Sequence, residues 1–366
     1  MSPEDIARRE CARLETWSDV DQRSIVVDPL KGGMSNSMFV CRSAGNMAVV
    51  RFFGQMGGLI DRNEEVQVFL EMSRRRLGPA CLGMIYSDEQ QPSPPASGKA
   101  ESEGRPAALP IGRIEEFLQG WRTLEPSDYR DDVMIGTIVT NMKKWHQTQV
   151  QSVTCKPRIL QDLRRMLRKI ASNDGEVFEK LASLGYEGKA DVVGQATKFV
   201  EEYASMTLRE EELGFCHNDL QYGNVMVKES TKELTFIDFE YSGYNPIYYD
   251  MANFWCEMAA DYTEGVYGCG FHQPLGPEGF PSEETQRATV RRYLSAGGEK
   301  PSEQEIERWR MQALRWVTAS HLFWGLWGLL QAENVSKPFE EGEFNYVLYA
   351  ENRLSAFQRD WGLAGQ

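Results

Sequence analysis

The stretch whose residue types and spacing point most specifically to chemistry runs from Phe215 to Val227, FCHNDLQYGNVMV, and is followed after one turn by Leu234-Thr-Phe-Ile-Asp238. His217-x-Asp219 and Asn224 fall in a loop that enters an apolar strand, and a second apolar strand ends in Asp238. Phosphoryl transfer asks little covalent chemistry of a protein. It needs one carboxylate beside the acceptor hydroxyl and oxygen ligands for magnesium. Asp219, Asn224 and Asp238 supply that set. Asp and Asn also shape turns for structural reasons alone, but His-x-Asp, a four-residue gap, Asn, strand and Asp is a longer pattern than a turn requires. His217 reads as the residue that orders the loop, since a second base would duplicate Asp219.

A second constellation suits a cation. Trp324 and Trp327 are three apart on one helix face, Tyr349 follows on the last helix, and Glu240-Tyr241, Glu257 and Tyr262 come soon after Asp238. A quaternary ammonium has no N–H to donate, so aromatic faces and nearby carboxylates hold it. An isolated WxxW stripe would read as helix-packing core; the neighbouring motifs reverse that reading.

A third group could meet phosphate. Gly33, Met34, Ser35 and Asn36, with Gly32 before them, lie between two candidate strands, where backbone N–H groups of a glycine-permitted turn could cradle phosphate oxygens. Taken alone, a plain hairpin turn would explain them as well. Downstream, Ala48-Val49-Val50-Arg51 resembles the kinase strand that carries a phosphate-contacting lysine, with arginine in its place. Arginine keeps its charge and can fork between a phosphate and a carboxylate. Glu65 on the next helix is its expected partner and Glu64 the alternative, a solvated helix face being the competing explanation for both.

The elements that must position these groups follow from periodicity. A short amphipathic helix (6–17) precedes β-rich stretches at 24–31, 37–42 and 47–53, which read as an antiparallel meander. A helix over 61–76 and strands at 82–86 and 111–118 complete a β-rich lobe, 1–120, ending at Gln119-Gly120. Residues 91–110 are rich in Pro, Ser, Gly and charge with almost no bulky apolar side chain and read as a mobile insertion. From 121 to 366 helices dominate, at 129–150, 158–171, 176–184, 190–213, 248–262, 283–294, 303–332 and 340–357, interrupted by strands at 225–228 and 234–238. A small β-rich lobe, a hinge and a large helical lobe make the α+β outline of a protein kinase-like two-lobed fold.

Composition sets outer bounds. The 366 residues carry 40 basic and 54 acidic side chains, a net charge of −14, which opposes nucleic acid and anionic membrane as main partners and favours a cationic one. Seven scattered cysteines without a CxxC pair suit a reducing, cytoplasmic compartment. The longest apolar run, 322–330, is too short to span a bilayer.

GGMSNSMF, VVRFFG, DRNEEV, GRIEEFL, FCHNDLQYGNVM, FIDFEYSGYNPIYYDMANFWCE and HLFWGLWGLLQA together resemble the choline/ethanolamine kinase family, over about Gly32 to Phe357 apart from the insertion. The resemblance implies ATP between the lobes with adenine against Glu116 to Leu118, Mg2+ on Asn224 and Asp238, and Asp219 as the base that orients and deprotonates the alcohol. It also implies a choline pocket of Trp324, Trp327, Tyr349, Glu257, Tyr262, Tyr241, Glu240 and Gln221. FWCEMAADY resembles the choline branch, so choline is the expected substrate and phosphocholine the product, with ethanolamine or dual use as the alternative. An antibiotic phosphotransferase and a catalytically dead kinase-like scaffold stand behind these. The family often forms dimers, which makes a homodimer an open expectation.

Overall fold

Ser2 opens the first helix: its Oγ accepts the Asp5 amide at 3.2 Å and Pro3 supplies a residue with no amide to satisfy, giving α1 (Pro3–Ala12). The computed structural model describes residues 1–30, 36–54, 60–87, 109–172, 176–183, 192–206, 208–260, 262, 279–333 and 344–364. They form two units, Met1–Trp121 and Arg122–Gln366.

In the first unit β1 (Val26–Leu30), β2 (Asn36–Ser43) and β3 (Asn46–Phe53) pair antiparallel in sequence order. Ala44 and Gly45 both take positive φ, 47° and 85°, as the tight two-residue hairpin between β2 and β3 requires. α2 (Arg62–Arg75) begins at Asp61, whose Oδ1 accepts the Asn63 and Glu64 amides, and ends at Arg76 in the left-handed region. β4 (Cys81–Ile85) and β5 (Gly112–Glu116) complete the sheet in the order β1-β2-β3-β5-β4. The insertion of β5 between β3 and β4 brings Arg113 directly across from Arg51. Gly112 permits this approach, since a Cβ there would stand 2.4 Å from the Arg51 carbonyl oxygen. Ala7, Cys11, Trp17, Phe39, Cys41, Val50, Ile85 and Ile114 close a core between α1 and the sheet.

The second unit holds β6 (Trp121–Thr123), α3 (Asp132–His146), α4 (Arg158–Ser172), α5 (Glu176–Ser183), α6 (Val192–Ser205), β7 (Leu213–Cys216), β8 (Val225–Lys228), β9 (Leu234–Phe236), β10 (Gly243–Pro246), α7 (Ile247–Glu257), α8 (Glu283–Ser295), α9 (Glu303–Glu333) and α10 (Tyr346–Ala364) among the described residues. Strands β6, β8 and β9 form one small sheet, while β7 pairs with β10. α9 is buried around its whole circumference from Trp316 to Leu330 because α7 and α10 pack on it. A small sheet-rich N-terminal part and a mostly helical C-terminal part are the protein kinase-like arrangement.

Several boundaries depart from the periodicity. The helix expected over 129–150 starts at Asp132, where Asp131 caps the Val133 and Met134 amides. The helix expected to reach Leu213 ends at Ser205, and Leu213 instead begins β7. There Gly214 fits closely, with a Cβ only 2.7 Å from Ile247 and 2.9 Å from the His146 carbonyl oxygen. The helix expected to 262 ends at Glu257, leaving Tyr262 beyond it. Gly33, Met34 and Ser35, most of the 91–110 segment and Cys269 lie outside the described residues.

Candidate active site

β7 leads into a loop, 217–221, held from below by one buried carboxylate. Asp250 on α7 accepts the His217 amide at 3.0 Å and the Asn218 amide at 2.8 Å, while His146 donates from Nε2 at 3.0 Å and takes the Tyr293 hydroxyl on Nδ1 at 2.7 Å. Burial opposes ionisation of Asp250, but the hydrogen bond from His146 and the loop amides hold it below the usual carboxylate range. Asn218 adopts φ +67°, a conformation asparagine tolerates better than most residues. Its carboxamide donates to the Tyr241 carbonyl and accepts from Asn245, each at 2.8 Å. His217 is fully buried, burial lowers its pKa, and its Nε2 donates to the Ile237 carbonyl at 2.9 Å. It therefore ties the loop to the residue before Asp238.

The expected acid–base and metal residues converge on this loop. Asn224 Nδ2 donates to Asp219 Oδ2 at 2.7 Å and to the Asp219 carbonyl at 2.9 Å. The Ile237 amide donates to the Asn224 carbonyl at 3.0 Å, which sets Asp238 beside the loop, at φ +64°. Burial first, then the Glu257, Asp238 and Glu240 carboxylates, push the Asp219 carboxyl well above its usual range, against the Asn224 carboxamide. With Nδ2 committed to Asp219, Asn224 Oδ1 accepts, among the described residues, only a long 3.4 Å bond from Gln221. A hard oxygen next to a concentration of carboxylates is the donor set a divalent cation takes. Gln221 itself folds back onto Asn224 and the Gly223 amide, so its side chain braces Asn224.

The aromatic residues expected to hold a cation come together around α9. Trp324 and Trp327 stand edge to face at 5.5 Å, Trp327 and Tyr349 at 6.0 Å, and Tyr241 meets Trp324 at 5.2 Å. Tyr262 lies 6.4 Å from Tyr349 and donates its hydroxyl to Glu257 Oε2 at 2.8 Å. Two links join these rings to the loop that carries Asp219. Tyr222, in the turn that carries Asn224, packs 5.7 Å from Tyr262 and takes the Tyr262 amide on its hydroxyl at 2.8 Å. Asn253 Oδ1 accepts from Trp324 Nε1 at 2.8 Å and Ser320 Oγ at 2.7 Å, while its Nδ2 donates to the Asn218 carbonyl at 3.3 Å. The Glu240 side chain is buried and its backbone carbonyl accepts from Arg158.

In the first unit Arg51 and Glu65, the expected partners, each meet another charged residue. Arg51 Nε donates to Glu115 at 3.1 Å, whereas Glu65 accepts from Arg113 at 2.9 Å and from Arg62. Arg113 also reaches Glu115 at 2.7 Å, so a buried ladder runs Arg51–Glu115–Arg113–Glu65–Arg62. The cause is register: β5 sets Arg113 opposite Arg51, between that residue and the helix. Burial works against the Glu115 charge, yet Arg113 and Arg51 hold its carboxyl below the usual range. Asn36 Oδ1 accepts the Gly54 amide at 3.3 Å. Glu116 exchanges bonds with Ala80, and the Leu118 carbonyl accepts the Trp121 amide.

Residues 107–358 match the sequence profile of the choline/ethanolamine kinase family. An Arabidopsis thaliana relative named "Probable choline kinase 2" is 33% identical over 97% of this chain and 91% of its own length. The chain belongs to the choline/ethanolamine kinase family. A Homo sapiens choline/ethanolamine kinase is 27% identical over 94% of this chain and 82% of its own length. The crystal structure of choline kinase from Cryptosporidium parvum superposes with a TM-score of 0.70 over 97% of this chain and 94% of that one at 20% identity, a likeness of fold. Family membership makes the chain an ATP-dependent kinase.

Sequence reasoning missed Asp250, Asn253, Glu115, Arg113, Tyr222 and Arg353. A signal existed for two of them. Asp250 and Asn253 are polar residues in an otherwise apolar helical stretch, and a polar group there must find a buried partner. Glu115 and Arg113 alternate with apolar residues like a solvated strand edge, and only the strand order shows that they are inside.

Proposed function

We propose that the chain transfers the γ-phosphoryl group of ATP to the hydroxyl of choline, giving phosphocholine and ADP, a reaction that feeds phospholipid synthesis. The observation that carries this reading is the attachment of the aromatic cage to the loop bearing Asp219, through Tyr222 and through Asn253. In choline the hydroxyl lies two carbons from the trimethylammonium group. Rings that hold the cation therefore deliver the oxygen to a base tied to the same framework. Asp219, raised in pKa and braced by Asn224, accepts the hydroxyl proton in the transition state. Asn224 Oδ1 and Asp238 are the residues that would hold Mg2+, which neutralises charge on the nucleotide phosphates when bound. Arg51, fixed by Glu115, supplies a cation for the phosphates. The Gly33 to Asn36 turn and the Glu116 to Leu118 segment are proposed for phosphate and adenine. Ethanolamine is the runner-up acceptor, and the Glu257 and Glu240 carboxylates are the feature that favours it.

The test is magnesium-dependent ADP release measured with choline and ethanolamine side by side over a concentration series. A higher kcat/KM for choline supports the aromatic reading. Preference for ethanolamine moves recognition to the carboxylates, and release with neither acceptor overturns the proposal.

A further inference from the structure

Glu257 sits among the rings of the cage, but both of its oxygens are already engaged. Oε1 accepts from Arg353 Nη2 at 2.6 Å and Oε2 accepts from the Tyr262 hydroxyl at 2.8 Å. The ion pair is sealed from water, its side chains being 0% and 2% exposed. The same guanidinium lies 5.4 Å from the centre of the Tyr349 ring, a cage wall. Two properties of Glu257 separate here. Its negative field reaches across the site, as its effect on Asp219 shows, and that field acts alike on any cation. Arg353 and Tyr262 each take an acceptor site on it, and the guanidinium sets a positive charge against Oε1. A primary ammonium carries three N–H donors that lose water on entering and must be met by acceptors, whereas a trimethylammonium carries none and needs only ring faces.

We propose that Arg353 is a specificity-determining residue: by pairing with Glu257, beside the Tyr262 hydroxyl on the other oxygen, it weakens that carboxylate as an acceptor for a primary ammonium and biases the cage toward a fully methylated amine. This inference rests on the choline reading above. α10 brings Arg353 beneath Tyr349, one helical turn away, so one helix supplies both a ring for the cation and the charge that closes the carboxylate. Charge-assisted hydrogen bonds are directional and short. The pair at 2.6 Å therefore competes well against an incoming ligand.

The experiment measures kcat/KM for choline and for ethanolamine, with ATP saturating, in the full chain and three variants. In Arg353→Met one oxygen of Glu257 is released to the cage, and the choline-to-ethanolamine ratio is expected to fall about tenfold or more as ethanolamine gains a charge-assisted bond. Tyr262→Phe keeps the ring and releases the other oxygen, so the ratio is expected to fall in the same direction. That variant decides the matter if Arg353→Met does not fold. In Glu257→Leu/Arg353→Met the Glu257 acceptor is gone, and the ratio is expected to return to the parent value or above it. An unchanged ratio in Arg353→Met and Tyr262→Phe overturns the inference, as does an equal loss for both amines, which would mark a purely structural pair. A parent enzyme that prefers ethanolamine removes this inference and leaves the kinase reading intact. A parent enzyme that turns over neither amine removes both.

Discussion

Replacing Asn253 with alanine tests the link between the cage and the catalytic loop. The residue is fully buried and makes two short bonds, to Ser320 Oγ at 2.7 Å and Trp324 Nε1 at 2.8 Å, and a longer one to the Asn218 carbonyl at 3.3 Å. In Asn253→Ala the Ser320 hydroxyl can rotate to a carbonyl one turn back along its own helix. The Trp324 indole N–H and the Asn218 carbonyl cannot, and each buried group left without a partner costs about 1–3 kcal/mol. The carbonyl bond is long, so the sum is expected at about 2–4 kcal/mol, read by urea unfolding of the whole chain. Kinetics supply the functional readout. With its edge released, Trp324 loses a fixed orientation, and the choline KM is expected to rise about five- to tenfold with the ATP KM unchanged. Asn253→Asp keeps both acceptor contacts but sets an oxygen against the Asn218 carbonyl, so kcat should suffer more than the choline KM. Stability within about 0.5 kcal/mol of the parent, with an unchanged choline KM, would refute the reasoning.

Asp219→Asn should collapse kcat while ATP binding, followed by equilibrium titration, stays near the parent value; loss of nucleotide binding would contradict its role as base. Because burial and neighbouring carboxylates raise the Asp219 carboxyl, the base is lost by protonation as pH falls through that raised value, so the acid limb of kcat/KM should lie above about pH 4, where an ordinary aspartate titrates. A limb at or below that pH would mean a different group. Arg113→Met leaves Glu65 and Glu115 short of their shared cation and should destabilise the chain by about 3–5 kcal/mol in a denaturant titration. A loss under about 1 kcal/mol would show that the ladder carries little. Chelation of divalent metal should abolish turnover and added Mg2+ should restore it; turnover that survives chelation would rule out the metal roles of Asn224 and Asp238.

The grouping of Asp219, Asn224 and Asp238 was legible in the sequence because local spacing sets it. They lie within one loop and the two short strands, joined by a turn, that follow it, and the chain between them leaves little freedom. Trp324 and Trp327 were legible for the same reason, since a separation of three on a helix fixes a shared face. What could not be read depends on partners distant in the chain. β7 and β10 are four residues each, too short for periodicity to register, and each exists because the other pairs with it. The partner of Arg51 turned on strand order: with β5 beside β3, Arg113 takes Glu65 and leaves Glu115 for Arg51. Asp250 and Asn253 stood out as polar residues in an apolar helix, yet their targets, the loop amides and the Trp324 indole, are set only by packing.

The central claim is that one aromatic cage holds the cation of the acceptor beside the base. The most direct measurement uses tetramethylammonium, a cation with no hydroxyl to phosphorylate, as an inhibitor of the parent enzyme and of Trp327→Ala. The account predicts inhibition competitive with choline and not with ATP, weakened about tenfold or more in Trp327→Ala as a desolvated cation–π contact is lost. No inhibition, competition with ATP, or equal potency against both proteins would contradict it.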